Sequence, residues 1–312
     1  MSAQRSARTV FLVNPASDNG TTGRRWPELA HGAATLGLAG DTLFSERPGH
    51  LTELARNAAA GGAELLVVVG GDGSVNEVAN GIVGLEHVAV AVLARGTGCD
   101  FGAAFGIPRD LAGAVDVALR GATRTVDLGR TSHRAWDGSE GVSYFANVAS
   151  AGMSGAIAKR ANETSKGLGG RISYFWATLA VFARWQVCDV RVTVDGEVRS
   201  GRMHDVIVAN CPSFGGGMKI CPDAVPDDGL LDVLLLGDLT KRDLLLTLPK
   251  TYRGKHLPHP KAELLRGRVV TVDADEPLPV ELDGEQPGTT PVRFEIVPGA
   301  LRVRVPALLP ED

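Results

Sequence analysis

Residues 65–82 read LLVVVGGDGSVNEVANGI, from Leu65 to Ile82. The first half is an unbroken apolar run rich in valine, the composition of a strand buried on both faces. It breaks abruptly into Gly-Gly-Asp-Gly and then into a helical pattern. A strand that passes through glycines into a helix is the repeating unit of an α/β sheet. Ligands of such sheets bind beyond the carboxyl ends of the strands.

The sequence on either side keeps this grammar. TVFLVNP (Thr9–Pro15), DTLFS (Asp41–Ser45) and VAVAVLA (Val88–Ala94) read as further strands, and HLTELARNAAA (His50–Ala60) has helical periodicity. These elements predict a parallel sheet with helices on both faces over the first 130 residues. The loops that follow the strands, NPASDNGTTG, SERPGH, GGDGS and RGTGCD, are all rich in Gly, Ser, Thr or Asn. One face of the sheet is therefore given over to polar turns.

Beyond about residue 135 the pattern changes. SYFANVASAGM reads as a strand and turn, and helical patterns run from there to Trp185. From Val187 onward most segments are strand-like: VCDVRVTVDGEV, MHDVIVANC, LLDVLLLGD, RVVTVDA, LPVELDGE, VRFEIV and LRVRVP. Asp195-Gly196 and Asp283-Gly284 are hairpin signals, and residues 238–253 form the one helical interruption. The expected architecture is an α/β nucleotide-binding lobe over residues 1–130 and a β-rich lobe over 131–312, whose last strand returns to the first lobe.

Composition excludes several classes of function. The 312 residues carry a net charge of −4, from 32 basic and 36 acidic side chains, so no global basic field recruits nucleic acid. The N-terminal residues lack the apolar core of a signal peptide. The longest apolar-looking stretch, Ile172 to Val187, contains Arg184 and is too short to span a bilayer. Cys99, Cys188, Cys211 and Cys221 have neither zinc-ligand nor disulfide-framework spacing. These features predict a cytoplasmic protein with no transmembrane segment. His256-x-x-His259 is broken by Pro258, and Ser154 does not complete a GxSxG motif, so zinc-hydrolase and serine-hydrolase readings fail.

Glycines at 70, 71 and 73 leave backbone amides open at the start of a helix, which suits a phosphate. Asp72 among them would repel a bare phosphate. It makes sense beside a divalent cation or beside the group that attacks. The alternative is a plain strand–helix turn in which Ser74 and Glu77 form a capping box. The stretch matches neither the ATPase loop GxxxxGK[ST] nor the dinucleotide motif GxGxxG.

Six stretches occur here in the order found in the bacterial lipid kinases of the diacylglycerol kinase catalytic-domain family. They are NPASDNG, GGDGSVNEVANGI, RGTGCDFGAAFGIP, NVASAGM…SKGLGGRISYFWATL, PDAVPDDGLLDV and ELDGEQPGTTPVRFEIVPGALRVRVP. Together they span nearly the whole chain. The resemblance extends to sphingosine kinases and, more distantly, to NAD kinases, and it implies an α/β nucleotide lobe and a β-sandwich lobe. It also implies ATP and Mg2+ as cofactors and a lipid substrate met at the membrane surface, with the enzyme peripheral at the inner face. A homodimer is compatible with it.

By the same resemblance, Asn14, Pro15, Ala16, Ser17 and Asp18 form the first nucleotide loop. Gly71, Asp72, Gly73, Ser74, Val75, Asn76 and Glu77 form the phosphate loop. Thr97, Asp100 and Ser45 would also contact nucleotide. Glu285 matches the proton acceptor, with Asp283 two residues before it and Asp72 across the phosphate. The Val225 carbonyl, the Asp228 side chain and the Leu230 carbonyl match a magnesium loop. Read without the resemblance, LDGE is equally a hairpin turn bearing two solvated acids, and DDGLLDV a turn before a strand.

Three positions depart from the family pattern. Cys99 stands where Asn is usual, Arg95 where a small residue is common, and Ser74 where Thr is frequent. A thiol is a poor hydrogen-bond donor, so an amide contact is lost at 99. The expected function is an ATP-dependent lipid kinase acting on diacylglycerol or a related lipid. A kinase of a soluble hydroxyl substrate, or a nucleotide- or lipid-binding protein with little turnover, are the alternatives. Tyr174, Phe175, Trp176, Phe182 and Trp185 would suit either a lipid-facing surface or a helix core.

Overall fold

The computed structural model describes residues 8–96, 98–164, 180–182 and 184–307. Thr97 and the aromatic residues Tyr174, Phe175 and Trp176 lie outside the described residues. The chain divides into two compact units, Met1–Val126 with Gly299–Asp312, and Asp127–Pro298.

The first unit contains β1 (Thr9–Val13), α1 (Thr21–Thr35), β2 (Asp41–Phe44), α2 (His50–Ala60), β3 (Leu65–Gly70), α3 (Asp72–Ile82), β4 (Ala89–Ala94), α4 (Asp100–Ala104) and α5 (Leu111–Arg120). Its strands are parallel, with β1 between β2 and β3 and with β4 outside β3. The last turn of chain, the end of β14 (Glu285–Val305), adds parallel to β4 through Val303 and Val90. Every residue of β3 and β4 is buried, as their continuous apolar runs require. Phe11, Val67, Val69 and Leu93 pack one face against Trp26, Leu29 and Ala33 of α1 and Ala114, Val115 and Ala118 of α5. Trp26 meets Phe11 edge-on at 5.3 Å. Strand order reverses between β1 and β3, and a crevice beyond the carboxyl ends at such a switch point is where these sheets bind ligands.

The second unit is built from β5 (Ala122–Ala135), β6 (Glu140–Phe145), β7 (Val148–Gly152), α6 (Met153–Thr164), β8 (Cys188–Val194), β9 (Glu197–Ala209), β10 (Leu231–Gly237), α7 (Lys241–Thr251), β11 (Ala262–Gly267), β12 (Val269–Ala274), β13 (Pro279–Leu282) and the body of β14. Its pairings are antiparallel. The long strand β9 pairs β8 along its first half and β7 and β10 along its second. Likewise β14 pairs β13 early and β12 later. With β12 on β8 and β13 on β7, the ladder closes on itself, and no edge is left along that circuit. Phe145, Val192, Val206, Val208, Val270, Val280 and Phe294 fill its interior. Both Asp-Gly pairs make the hairpins expected of them, with φ of 46° and 92° at Asp195 and Gly196, and 48° and 95° at Asp283 and Gly284. No helix among the described residues is long and apolar enough to cross a membrane.

Candidate active site

Close approach explains the glycine that ends β3 and the one that follows β4. A Cβ on Gly70 would collide with the Ser74 hydroxyl, and one on Gly96 would stand 2.9 Å from the Cα of Gly71. The Arg95 amide donates to the Gly70 carbonyl at 2.7 Å, so the loops after β3 and β4 lie backbone against backbone. Gly71 is the N-cap of α3 in extended conformation, and no side chain caps the helix. The result is a cradle of main chain at a helix N-terminus, a donor set that fits nucleotide phosphates.

Two side chains brace this cradle. The Asn14 amide donates to Ser74 Oγ at 3.1 Å, and its carbonyl oxygen accepts from the Ala16 amide at 3.0 Å. The loops after β1 and β3, which flank the switch point, are thereby joined. Asp72 sits in the first turn of α3, and its Oδ1 accepts from the Phe101 amide at 2.9 Å. That bond ties the carboxylate to the start of α4. Asp100, the first residue of α4, is 4% exposed.

The capping box read from Ser74 and Glu77 does not form. The helix begins two residues before Ser74, and Glu77 Oε2 accepts from the Leu51 amide of α2 at 2.9 Å. The Thr52 hydroxyl donates to the Glu77 carbonyl at 2.8 Å, so Glu77 fastens α2 to α3. Val75 and Asn76 are packed at 3% and 8% exposure. Of the phosphate-loop motif, Gly71, Asp72 and Gly73 form the mouth, and Ser74, at 4% exposure, is packed with the three residues that follow it. Pro15, Ala16, Ser17 and Asp18 continue the loop after β1, where the Ser17 hydroxyl donates to the Asn14 carbonyl at 2.8 Å. Ser45 follows edge strand β2 and donates its amide to the Val13 carbonyl at 2.9 Å.

Cys99 occupies the N-cap position of α4 with φ 56° and ψ 42°. Its thiol is buried, lies 3.5 Å from the Gly96 carbonyl, and is pushed up in pKa by burial and then by the charge of Asp72. This left-handed conformation is one that Asn tolerates and most side chains resist. Asn also caps helix amides, which a thiol does poorly. Cys99→Asn is therefore expected to raise unfolding free energy by about 1 kcal/mol, read from urea melts, and ATP affinity is to be titrated alongside. A lower denaturation midpoint would mean that packing of the buried sulfur dominates.

The second unit contributes an acid-rich turn. Asp283 and Gly284 form the tip between β13 and β14, and Asp283 is not a solvated acid. Its Oδ2 accepts from the Ala146 amide at 2.6 Å, and its Oδ1 from the amides of Asn147 and Val148 at 2.9 and 3.0 Å. Glu285, the first residue of β14, is exposed. Two acids that the motifs did not flag lie beneath. Glu281 Oε1 accepts from the Gly284 amide at 2.5 Å, and Glu281 Oε2 shares a 3.2 Å hydrogen bond with the Ser150 hydroxyl. Asp205 Oδ2 accepts from the amide and hydroxyl of Ser154 at 2.8 and 2.5 Å, at the start of α6. Burial pushes Glu281 up to about 8 and Asp205 up to about 7. The acid supporting the turn thus keeps its proton at neutral pH. The sequence carried no signal for Glu281: the alternation Val280-Glu281-Leu282 reads as a strand with the acid on its solvent face, whereas Glu281 is 3% exposed.

The loop matched to magnesium binding is differently occupied. Asp228 Oδ1 accepts from the Leu230 amide at 3.0 Å, and its Oδ2 pairs with the Arg266 guanidinium. Arg266 Nε also lies 3.3 Å from Asp232 Oδ1. Val225, the third member of the expected set, is 40% exposed. A guanidinium already neutralises the carboxylate that the ion would need. The donor set as placed does not fit a resident Mg2+. Among the described residues, no three His, Cys, Asp or Glu side chains are grouped to hold a metal.

Comparison with known proteins places these features in context. Residues 8–131 match the diacylglycerol kinase catalytic domain, and residues 147–305 match the YegS C-terminal NAD kinase beta sandwich-like domain. The chain is 29% identical over 290 residues to a Staphylococcus carnosus diacylglycerol kinase, covering 92% of this chain and 91% of that one. A Staphylococcus aureus diacylglycerol kinase is 27% identical over 288 residues, covering 92% and 89%. In fold, the chain is similar to a diacylglycerol kinase structure from Bacillus anthracis, with TM-score 0.71, 21% identity, and 97% and 98% of the two chains covered. Yeast NADH kinase gives TM-score 0.57 at 11% identity, covering 98% and 85%.

Proposed function

This chain belongs to the diacylglycerol kinase catalytic-domain family, and we propose that it is an ATP-dependent lipid kinase that phosphorylates the hydroxyl of diacylglycerol or a close relative. The observation that carries this reading is the cradle formed where Gly71 meets Gly96 at the uncapped start of α3. Phosphoryl transfer asks chiefly for positioning and charge stabilisation, with a group to take the hydroxyl proton.

In this reading the main chain of residues 71–74 holds the nucleotide phosphates, and Asn14 keeps the cradle in shape through Ser74. Asp72 and Asp100 are the carboxylates that would hold a Mg2+ ion arriving with ATP, and that ion would supply neutralisation of the phosphate charge. Glu285 receives the proton of the attacking hydroxyl. Asp283, with both carboxylate oxygens engaged by amides, positions the turn that bears Glu285. All four cysteines are free thiols, which suits the reducing cytoplasm.

The test is incubation of the purified protein with γ-radiolabelled ATP, Mg2+ and a panel of lipids, with NAD+ as the soluble acceptor. Label in phosphatidic acid from diacylglycerol is the expected result. Label in NAD+ alone would overturn the lipid reading, and label in no acceptor would overturn the kinase reading. The likeness to NADH kinase is one of fold, and no observation at the site favours a soluble acceptor.

A further inference from the structure

We propose that the outer face of α7 is the surface by which this protein rests on an anionic lipid bilayer. The inference builds on the lipid-kinase reading, which requires a water-borne enzyme to reach a substrate held in lipid. It concerns a helix that the catalytic assignment does not use.

α7 is amphipathic in the reverse sense. Its inward positions are Thr247 and Thr251, at 9% and 6% exposure. Its outward positions are Leu245, Leu246, Leu248 and Tyr252, at 56%, 59%, 46% and 52%. Leu245, Leu248, Pro249 and Tyr252 follow the spacing i, i+3, i+4, i+7, which places them in one stripe along the helix. A helix that packs through threonines and turns leucines outward leaves that face without an apolar cover among the described residues.

Charge selects the partner. By helical spacing Arg242 and Arg253 flank the stripe on one side, and Lys241, Lys250 and Lys255 are exposed toward the two ends of the segment. The one acid between Thr240 and Lys255 is Asp243, whose carboxylate is engaged by Thr240 in the capping box that starts the helix. This segment therefore carries net +4 in a chain whose total is −4. Basic residues bordering an apolar stripe are the pattern of helices that lie in the interface of an acidic membrane. A second copy of the chain fits poorly. In a symmetric dimer the same face meets itself, and five cations would oppose five.

The experiment is co-sedimentation of the full-length protein with vesicles of phosphatidylcholine alone or with added phosphatidylglycerol. Binding is expected to the phosphatidylglycerol vesicles and to weaken as salt rises from about 50 to about 500 mM. Leu245→Ser with Leu248→Ser should lower the bound fraction about ten-fold at equal lipid. These side chains are solvent-exposed, so the melting temperature should hold. Arg242→Ala with Arg253→Ala should blunt the salt dependence. Turnover on a water-soluble short-chain diacylglycerol should survive in both variants, while turnover on vesicle-borne substrate falls.

Failure of the wild-type protein to bind these vesicles would overturn the proposal. So would leucine variants that bind as wild type does, or that change only the oligomeric state in gel filtration, which would mark the face as a protein contact. Vesicle binding that depends on α7, with no lipid phosphorylated, would leave the docking surface standing and remove the lipid-kinase reading.

Discussion

Glu285→Gln is expected to lower turnover by about 10²- to 10⁴-fold, the range for loss of a general base, while ATP affinity stays within about two-fold of wild type. Gln preserves the size of the side chain and its hydrogen-bonding capacity, and removes only the ability to receive a proton. Glu285 is exposed at the first position of β14, next to a turn pinned by three backbone amides. A side chain so mounted is available to a substrate while its backbone stays fixed. Phosphoryl transfer through a loose transition state removes the hydroxyl proton late. Losing the acceptor should therefore appear in kcat and in kcat/KM together, with binding preserved. Equilibrium ATP titration beside steady-state kinetics distinguishes the outcomes. If ATP binding disappears while turnover at saturation persists, or if neither changes, Glu285 is not the base and the acid is part of a turn alone.

The fold was legible wherever the signal is local. Valine-rich strands that pass through glycines into helices, and the two Asp-Gly hairpins, are specified within a few residues and stand where the sequence puts them. Strands β5 and β11 carried weaker signals. β11 exposes most of its side chains on both faces, so no strict alternation marks it. The Ser74–Glu77 capping box failed for a related reason. The spacing is right, but the partner of Glu77 is Leu51, 26 residues earlier, and tertiary contact overrode the local motif.

The site was legible in its parts and opaque in its electrostatics. The glycine loop announced a tight turn from strand into helix, yet the reason for Gly96 is the approach of Gly71, from a different loop. Asp228 looked like an ion ligand because its counter-charge, Arg266, lies 38 residues downstream. Glu281 and Asp205 are ordinary acids in the sequence. Burial beside Ser150 and Ser154, which only the assembled strands create, is what raises their pKa values.

That distinction between a base and its mounting leads to the second large effect. Asp283→Ala should destabilise the protein by about 3–5 kcal/mol, the range expected when a partner in a buried polar network is removed. The carboxylate accepts from the amides of Ala146, Asn147 and Val148, and charge-assisted bonds of this kind are each worth about 1.5–3 kcal/mol. Alanine would leave three donors without their acceptor. It would also have to adopt φ near 48°, which costs an L-residue about a further 1 kcal/mol. Asp283→Asn tolerates that backbone and keeps one acceptor oxygen, so its loss should be roughly half as large. Urea denaturation gives the ranking: wild type and Glu285→Gln together, then Asp283→Asn, then Asp283→Ala. A catalytic acid with no structural part would give the reverse, with Asp283→Ala folded as firmly as wild type and only its turnover lost. That result would return Asp283 to the chemistry and leave the turn to be held by Glu281 and Gly284.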